Sequence, residues 1–226
     1  TFINLNTKWD FAYDPDNRGI RDEWFKRNDV WTHKIQVPFA WEAPLSGLVP
    51  PHEGPYTFFE TLQAKTYRGV AWYRLKLPGR LPNTKGLNWH LIFGAVDFKS
   101  TVWINGKQAT EHEGGYDPFS VNLADWISSD TVPEITLRVE DFTELNDYSQ
   151  PVGKQGGVWY TRTSGIWQTV YLEQRPAAYL EEVWIWMDPR GISLTPPRIK
   201  GSGIDSTFSI TATKAGQMLG KWEGDM

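Results

Sequence analysis

The sequence of 226 residues contains no cysteine and no long hydrophobic run. Without cysteine the chain cannot form disulfide bonds, use a thiolate as a nucleophile or hold zinc through sulfur ligands. No apolar stretch approaches the roughly 18 residues that a membrane-spanning helix requires, so we predict no membrane partner. No charged segment followed by an apolar run, the mark of a signal peptide, opens the sequence. Cytoplasmic, periplasmic and secreted locations are all compatible with it.

Negative charge slightly exceeds positive charge. Lys and Arg together number 23 against 27 Asp and Glu, which gives a formal net charge of −4. Proteins that bind nucleic acid show a basic patch or stripe, and this sequence has no such cluster. We therefore predict no nucleic-acid partner.

The common catalytic and metal-binding motifs are also missing. Neither His52-Glu53 nor His112-Glu113 is followed by a second His at the spacing of a metalloprotease helix. No nucleophile elbow and no phosphate-binding loop occur. No dense group of Asp, Asn and Glu resembles a calcium loop. The sequence thus predicts no metal site and no cofactor.

Aromatic residues, by contrast, are abundant. The chain has 13 Trp, 9 Tyr and 11 Phe, together 15% of its residues. Most of the Trp side chains are expected in the core, because Trp is highly buried on average. So many aromatic rings are also typical of β-proteins that stack sugars on exposed ring faces.

The hydrophobic pattern predicts an all-β protein. Apolar and polar residues alternate with the period of a strand over 71–77, 101–104, 134–140 and 167–173. Asn105-Gly106 follows one of these runs and predicts a tight hairpin turn. Strands this short and this closely spaced, with Gly, Pro, Asn and Asp between them, indicate a sandwich or jelly roll. One short helix is predicted over 19–25, capped by Asp16 or Asn17, and one helical turn over 123–127.

Two long segments interrupt this pattern, over residues 39–67 and 142–160. Long segments without regular periodicity inside a compact domain are often functional, although packing for stability alone is the alternative. A boundary falls near residues 175–178. The 50 residues after it are too few for an immunoglobulin-like sandwich, which needs about 100. We therefore predict a first domain over 1–176 and an incomplete second domain over 177–226.

The second long segment holds the residue types that bind saccharides. Sugars stack their C–H faces on aromatic rings and pair their hydroxyls with planar polar groups. Lys154, Gln155, Trp159 and Tyr160 supply both kinds of group within seven residues, and Arg162 follows them.

Six motifs in this order resemble the N-terminal sugar-binding domain of glycoside hydrolase family 2, which includes β-galactosidases, β-glucuronidases and β-mannosidases. The resemblance extends over roughly residues 5–176. The motifs lie at residues 67–73 (YRGVAWY), 94–98 (GAVDF), 102–106 (VWING), 111–119 (EHEGGYDPF), 153–155 (GKQ) and 159–168 (WYTRTSGIWQ).

The resemblance implies a galactose-binding-like β jelly roll over 1–176, followed by the start of an immunoglobulin-like β-sandwich. In the family a (β/α)8 barrel comes next and carries two catalytic glutamates, of which the acid/base follows an Asn. This sequence has no Asn-Glu pair. The chain alone is therefore expected to be inactive, as the carbohydrate-positioning portion of a β-galactosidase-like enzyme whose barrel lies elsewhere in the same polypeptide.

The family comparison also implies which residues bind substrate. In family members a loop before the Ser-Gly-Ile motif closes the pocket around the terminal sugar, which assigns Gln155, Trp159, Tyr160 and Lys154 to substrate binding. A stretch before Arg68 does the same in some relatives, so Arg68 is a further candidate.

Three other functions stay open. The chain could be an autonomous, lectin-like carbohydrate-binding module with no hydrolase partner. It could be a complete small enzyme, with acid/base work by Glu111, Glu113 or Asp97, or a structural module whose exposed aromatic residues contact another protein. Self-association into a homo-oligomer is compatible with each of them.

Overall fold

The computed structural model describes residues 1–48, 67–128, 130–142, 162–182, 184–188, 191–194, 198–200 and 207–225. These residues form β-strands joined by turns and three short 3-10 helices, with no α-helix among them. The strands are β1 Phe2–Asn4, β2 Lys8–Asp14, β3 His33–Gln36, β4 Gly69–Lys76, β5 Leu87–Phe93, β6 Val96–Asp97, β7 Lys99–Ile104, β8 Lys107–Glu113, β9 Phe119–Asn122, β10 Glu134–Asp141, β11 Gly165–Ile166, β12 Val170–Pro176, β13 Tyr179–Glu182, β14 Ile185–Asp188, β15 Gly191–Leu194, β16 Arg198–Lys200, β17 Thr207–Lys214 and β18 Gln217–Asp225. The 3-10 helices are Trp24–Lys26, Pro44–Ser46 and Leu123–Asp125.

The chain divides into two compact units. The first comprises Thr1–Asn83 and Trp89–Gln174, and the second comprises Thr84–Asn88 and Arg175–Met226. The first unit is a β-sandwich, as predicted. Its antiparallel six-stranded sheet has the order β3-β2-β4-β10-β7-β8, and its four-stranded sheet has the order β1-β12-β5-β9. A short pair, β11 with β6, completes it.

The core of the first unit lies between the two sheets. Along β4 and β10, alternate residues such as Tyr73 and Leu137 point into this core, because successive side chains of a strand point to opposite faces. Leu91 and Leu172 reach the same core from the four-stranded sheet. Each fully buried side chain of this size contributes about 1.5–3 kcal/mol relative to exposure, which makes this core the main source of stability.

The outer face of the six-stranded sheet carries a second, smaller aromatic cluster. Trp72 and Trp103 stack with ring centroids 5.2 Å apart, and Phe25 stacks on Trp103 at 5.0 Å. Trp24 and Trp31 pack against the same cluster. The segment that follows β2 thus lies across the outer face of the sheet.

The prediction of a helix over 19–25 is wrong. The segment forms turns and the 3-10 helix Trp24–Lys26, and the backbone of Glu23 is left-handed with φ 49°, which interrupts any helix. Neither of the predicted capping residues holds its start. The Asp14 carboxylate accepts hydrogen bonds from the backbone N–H of Arg18 and Gly19, both at 2.8 Å.

Two local predictions are confirmed and one is shifted. Asn105 and Gly106 both have positive φ, 50° and 75°, and join β7 to β8 as a hairpin. A helical turn occupies Leu123–Asp125, capped by the Asn122 side chain. The strand predicted from Trp167 begins at Val170 instead, because Gly165–Ile166 pairs separately with β6 and Trp167 follows that pair.

The second unit is also built of strands. Its antiparallel pairs are β13 with β16, β14 with β15, and β17 with β18. The strand predicted over 179–187 is divided into β13 and β14, which pair with different partners. The boundary at residue 176 and the immunoglobulin-like assignment of 177–226 stay predictions. In the part of the chain that the structure describes, none of the helices has the length and hydrophobicity needed to span a bilayer.

Candidate functional site

One end of the sandwich, which we call the Asp141 end, gathers buried polar groups where the two long segments rejoin the sheets. Asp141 ends β10 and is the register partner of Gly69, which begins β4. The first long segment returns to the six-stranded sheet through Tyr67 just before Gly69. The second leaves after Asp141 and returns at Arg162, which is buried.

The centre of the Asp141 end is a buried cluster of Glu42, Asp141 and Ser164. The Ser164 hydroxyl lies 2.5 Å from a carboxyl oxygen of Glu42 and 2.5 Å from a carboxyl oxygen of Asp141. The Ser164 backbone N–H also donates to the second Glu42 oxygen at 3.0 Å. Three segments far apart in sequence are joined here, since Glu42 belongs to the first long segment and Ser164 follows the second.

This geometry requires a proton on one of the two carboxyl groups. A serine hydroxyl has one hydrogen, so Ser164 can donate to only one of its two carboxyl neighbours and must accept from the other. Burial raises the pKa of Glu42 from its ordinary 4.5 to about 7, against the opposing effect of the hydrogen bonds from Ser164. The Asp141 carboxylate raises it further. Glu42 is therefore the group that holds the proton in mildly acidic solution.

Close packing around Gly165 fixes the cluster in place. Gly165 has φ +85°, and a Cβ at this position would lie 2.0 Å from the Tyr73 hydroxyl oxygen. The backbone N–H of Trp41 donates to the Ser164 carbonyl at 3.2 Å. The segments that carry Glu42 and Ser164 thus contact the hydrophobic core as well as each other.

The chain that leads into β4 is held by Tyr67. Its hydroxyl donates to the Val70 carbonyl at 2.5 Å, and its ring lies 4.3 Å from the ring of Tyr13. Its carbonyl accepts from the indole N–H of Trp41 at 3.4 Å. Arg68, a predicted substrate-binding residue, follows directly and is half-buried at the Asp141 end.

The other four predicted substrate-binding residues, Lys154, Gln155, Trp159 and Tyr160, lie outside the described residues. The structure describes the residues that flank them, Phe142 and Arg162. Those four assignments stay predictions.

The three acidic residues considered for a complete enzyme differ in solvent access. Glu111 and Glu113 are exposed on β8, an edge strand of the six-stranded sheet. Asp97 is buried beneath Gly115, where an added Cβ would come within 2.7 Å of its carboxyl carbon. In the described part of the chain, no group of three His, Asp or Glu could hold a metal ion.

The Glu42–Asp141 pair was not predicted from the sequence. Glu42 lies in a segment without periodicity, and Asp141 continues the alternating run 134–140 by one residue. Only their position in the sequence could have indicated a role, because each residue lies near a junction between the sandwich and a long segment. Neither residue is close in sequence to Ser164, which brings them together.

The class of protein is an antiparallel β-sandwich in which Glu42, Asp141 and Ser164 join described residues at the ends of two long connecting segments. Its sequence matches the family described as "Glycosyl hydrolases family 2, sugar binding domain" over residues 2–176. The chain belongs to this family, as the motif order indicated.

Curated relatives are longer glycosidases. A putative β-glucuronidase of Formosa agariphila is 27% identical over 184 residues, which are 80% of this chain and 19% of that protein. A β-galactosidase of Thermoanaerobacter pseudethanolicus is 27% identical over 167 residues, 73% of this chain and 20% of that protein. Human β-glucuronidase is 22% identical over 204 residues, 80% of this chain and 30% of that protein. The chain thus spans about a fifth to a third of the length of these relatives.

Solved structures agree on the fold. A crystal structure of Ruminococcus gnavus β-glucuronidase matches with a TM-score of 0.71 at 18% identity, over 100% of this chain and 38% of that chain. The same enzyme in complex with D-glucuronic acid matches with a TM-score of 0.70 at 17% identity. The likeness confirms the all-β sandwich architecture.

Proposed function

We propose that this chain is the non-catalytic, carbohydrate-binding and positioning portion of a family 2 glycoside hydrolase that acts on β-glycosides. The observation that carries the proposal is the family match over residues 2–176, joined to an Asp141 end where buried groups fasten both long segments. The two catalytic glutamates would come from a barrel of the same polypeptide. The domains proposed are 1–176 for the sugar-binding sandwich and 177–226 for part of the next sandwich.

In this proposal the second long segment shapes the pocket around the terminal sugar. Trp159 and Tyr160 offer ring faces for stacking, and Gln155 offers an amide for the sugar hydroxyls. Lys154 and Arg68 add two cations. The Glu42–Ser164 contacts support this role, because they fix the place where the segment returns to the sandwich.

A β-linked uronic acid is the first substrate to test, and a β-galactoside is the second. Several relatives carry the name β-glucuronidase, and one is a β-galactosidase. A glucuronide carries a carboxylate that lysine and arginine side chains bind well, which gives Lys154 and Arg68 a role that a galactoside would not require.

A tryptophan-fluorescence titration of the full chain tests this proposal. Methyl β-D-glucuronide and methyl β-D-galactoside are added separately to the wild-type protein, to Trp159→Ala and to Trp184→Ala. We expect a saturable response that Trp159→Ala weakens by about tenfold or more and that Trp184→Ala leaves unchanged. Trp184 is a suitable control because it is 54% exposed and belongs to the second unit. A response equal in wild type and Trp159→Ala contradicts the assignment of this segment.

The alternative functions give different results. An autonomous binding module would bind the sugar tightly by itself and lose that binding in Trp159→Ala, whereas the positioning portion is expected to bind only weakly alone, because the barrel supplies the rest of its pocket. A complete small enzyme would hydrolyse an aryl β-glycoside and lose that activity in Glu111→Gln, Glu113→Gln or Asp97→Asn. We expect no hydrolysis by the purified chain.

A further inference from the structure

A glycine turn at the Asp141 end presents one aromatic ring to solvent. Residues 114–117, which we call the Tyr116 turn, connect β8 to β9. Tyr116 is 62% exposed, whereas most aromatic rings of the sandwich are buried or half-buried. The turn belongs to the Asp141 end because the Gly114 N–H donates to the Phe98 carbonyl at 3.1 Å, beside the start of β7.

Several contacts hold the Tyr116 turn. The indole N–H of Trp167 donates to the Gly115 carbonyl at 2.8 Å, and the Trp167 ring meets the Tyr116 ring edge to face, 5.8 Å between centroids. Gly115 is buried against the Asp97 carboxyl group, with no room for a side chain. Gly114 has φ +130°, a conformation that favours glycine. The Tyr116 ring therefore contacts Trp167 on one side, and the rest of the ring is exposed to solvent.

The surroundings of the ring suit a sugar. Asp117 is exposed directly beside Tyr116 and offers carboxylate oxygens to sugar hydroxyls. A single ring is far too small for a stable protein interface, which buries about 800 Å² on each partner. It matches the face of one pyranose.

We propose that Tyr116 is a sugar-stacking residue at the Asp141 end, supported by Trp167 and aided by Asp117. This inference rests on the proposed function and extends it, because Tyr116 lies outside both long segments. A ring that its neighbours already hold adds affinity at a lower entropic cost than a ring that must first be ordered.

Nuclear magnetic resonance of the tryptophan indole N–H groups tests this inference on the full chain. Trp167 lies against Tyr116, so its indole signal reports on that site, and the Trp159 signal reports on the second long segment. The Trp159→Phe and Trp167→Phe spectra assign the two signals. Methyl β-D-glucuronide and methyl β-D-galactoside serve as the probes.

Three variants separate the ring from the rest of the surface. We expect the Trp167 signal to shift saturably with one of the sugars, and Tyr116→Ala to weaken that binding about fivefold or more. Tyr116→Phe keeps the ring and is expected to bind within about twofold of wild type. Phe2→Ala removes another exposed ring, 58% exposed on the edge strand β1, and should have no effect. The remaining indole signals show whether each variant is folded.

Each outcome decides the inference. If the Trp159 signal shifts while the Trp167 signal does not, or if Tyr116→Ala binds like wild type, the inference is overturned and the proposed function stands. If the Trp167 signal shifts in a Tyr116-dependent way and the Trp159 signal stays still, the inference holds and the assignment of the second long segment fails. If neither signal responds to either sugar, both are overturned.

Discussion

Glu42 places a titratable group in a site that is almost closed to water, with only 9% of the residue exposed. Burial raises its pKa from 4.5 to about 7, so the folded protein holds a proton that the unfolded chain releases. The resulting stability is fully present below pH 4.5 and is lost as the pH rises to about 7. We expect the free energy of unfolding to fall by on the order of 3 kcal/mol over this range.

Glu42→Gln tests that dependence, because glutamine resembles the protonated acid at every pH. Urea unfolding of the variant between pH 4.5 and 7 should lack the decline seen in wild type. Glu113→Gln, which changes an exposed carboxyl group on β8, should retain it. A decline of equal size in Glu42→Gln and wild type would show that another group is responsible.

Gly165 is constrained in both conformation and space. Alanine at this position would strain the backbone at φ +85° and would press on the Tyr73 hydroxyl and the Trp41 ring. We expect Gly165→Ala to lower the free energy of unfolding by about 2–4 kcal/mol. Two controls separate the causes in the same urea experiment. Gly47→Ala, with φ +78° and open space, should cost about 1 kcal/mol, and Gly79→Ala, with open space and no positive φ, should change little.

Local turns and long-range contacts differ in how far the sequence predicts them. The Asn105-Gly106 turn was predictable because its cause is local, two adjacent residues that tolerate positive φ. The Glu42–Ser164 contact was not, since the two residues are 122 positions apart. Burial of a carboxyl group cannot be predicted from the sequence when its hydrogen-bond partners are distant in the chain.

Among the structural elements, the segment that crosses the outer face of the six-stranded sheet depends on Asp14. Its carboxylate accepts from the backbone N–H of Arg18 and Gly19 and from the indole N–H of Trp72 at 3.1 Å. Asp14→Ala would leave these donors without their acceptor. We expect a loss of about 2–4 kcal/mol in the free energy of unfolding, measured with urea.

Asp16→Ala is the matched control for Asp14→Ala. Asp16 pairs with Arg18 at 3.2 Å, but both side chains are exposed, so the change should cost less than about 0.5 kcal/mol. Equal losses in the two variants would contradict the anchoring role of Asp14.

The same segment explains why one helix prediction failed. Its residues favoured a short helix, yet Trp24 and Phe25 pack on Trp72 and Trp103, and this contact with the sheet decides their conformation. The strands β4, β7 and β10 were predictable, because the residue types along a strand alternate every two residues and this pattern can be read without knowledge of the partner strands.

For the molecule as a whole, the sequence predicted the class and the family but not the order of strands. β1 pairs with β12, so Ile3 lies opposite Leu172 at the far end of the sandwich sequence. No local pattern encodes a pairing of that span. The family resemblance supplied the architecture that periodicity alone could not, and the match over residues 2–176 confirms it.

A crystal structure of the full chain soaked with methyl β-D-glucuronide would show whether a β-linked sugar binds at the Asp141 end. We predict density for the sugar at that end, with a ring face against Trp159 or Tyr160 and the carboxylate near Lys154 or Arg68. A sugar bound at the opposite end, beside the Asn105-Gly106 hairpin, or on the second unit would contradict the proposed binding site.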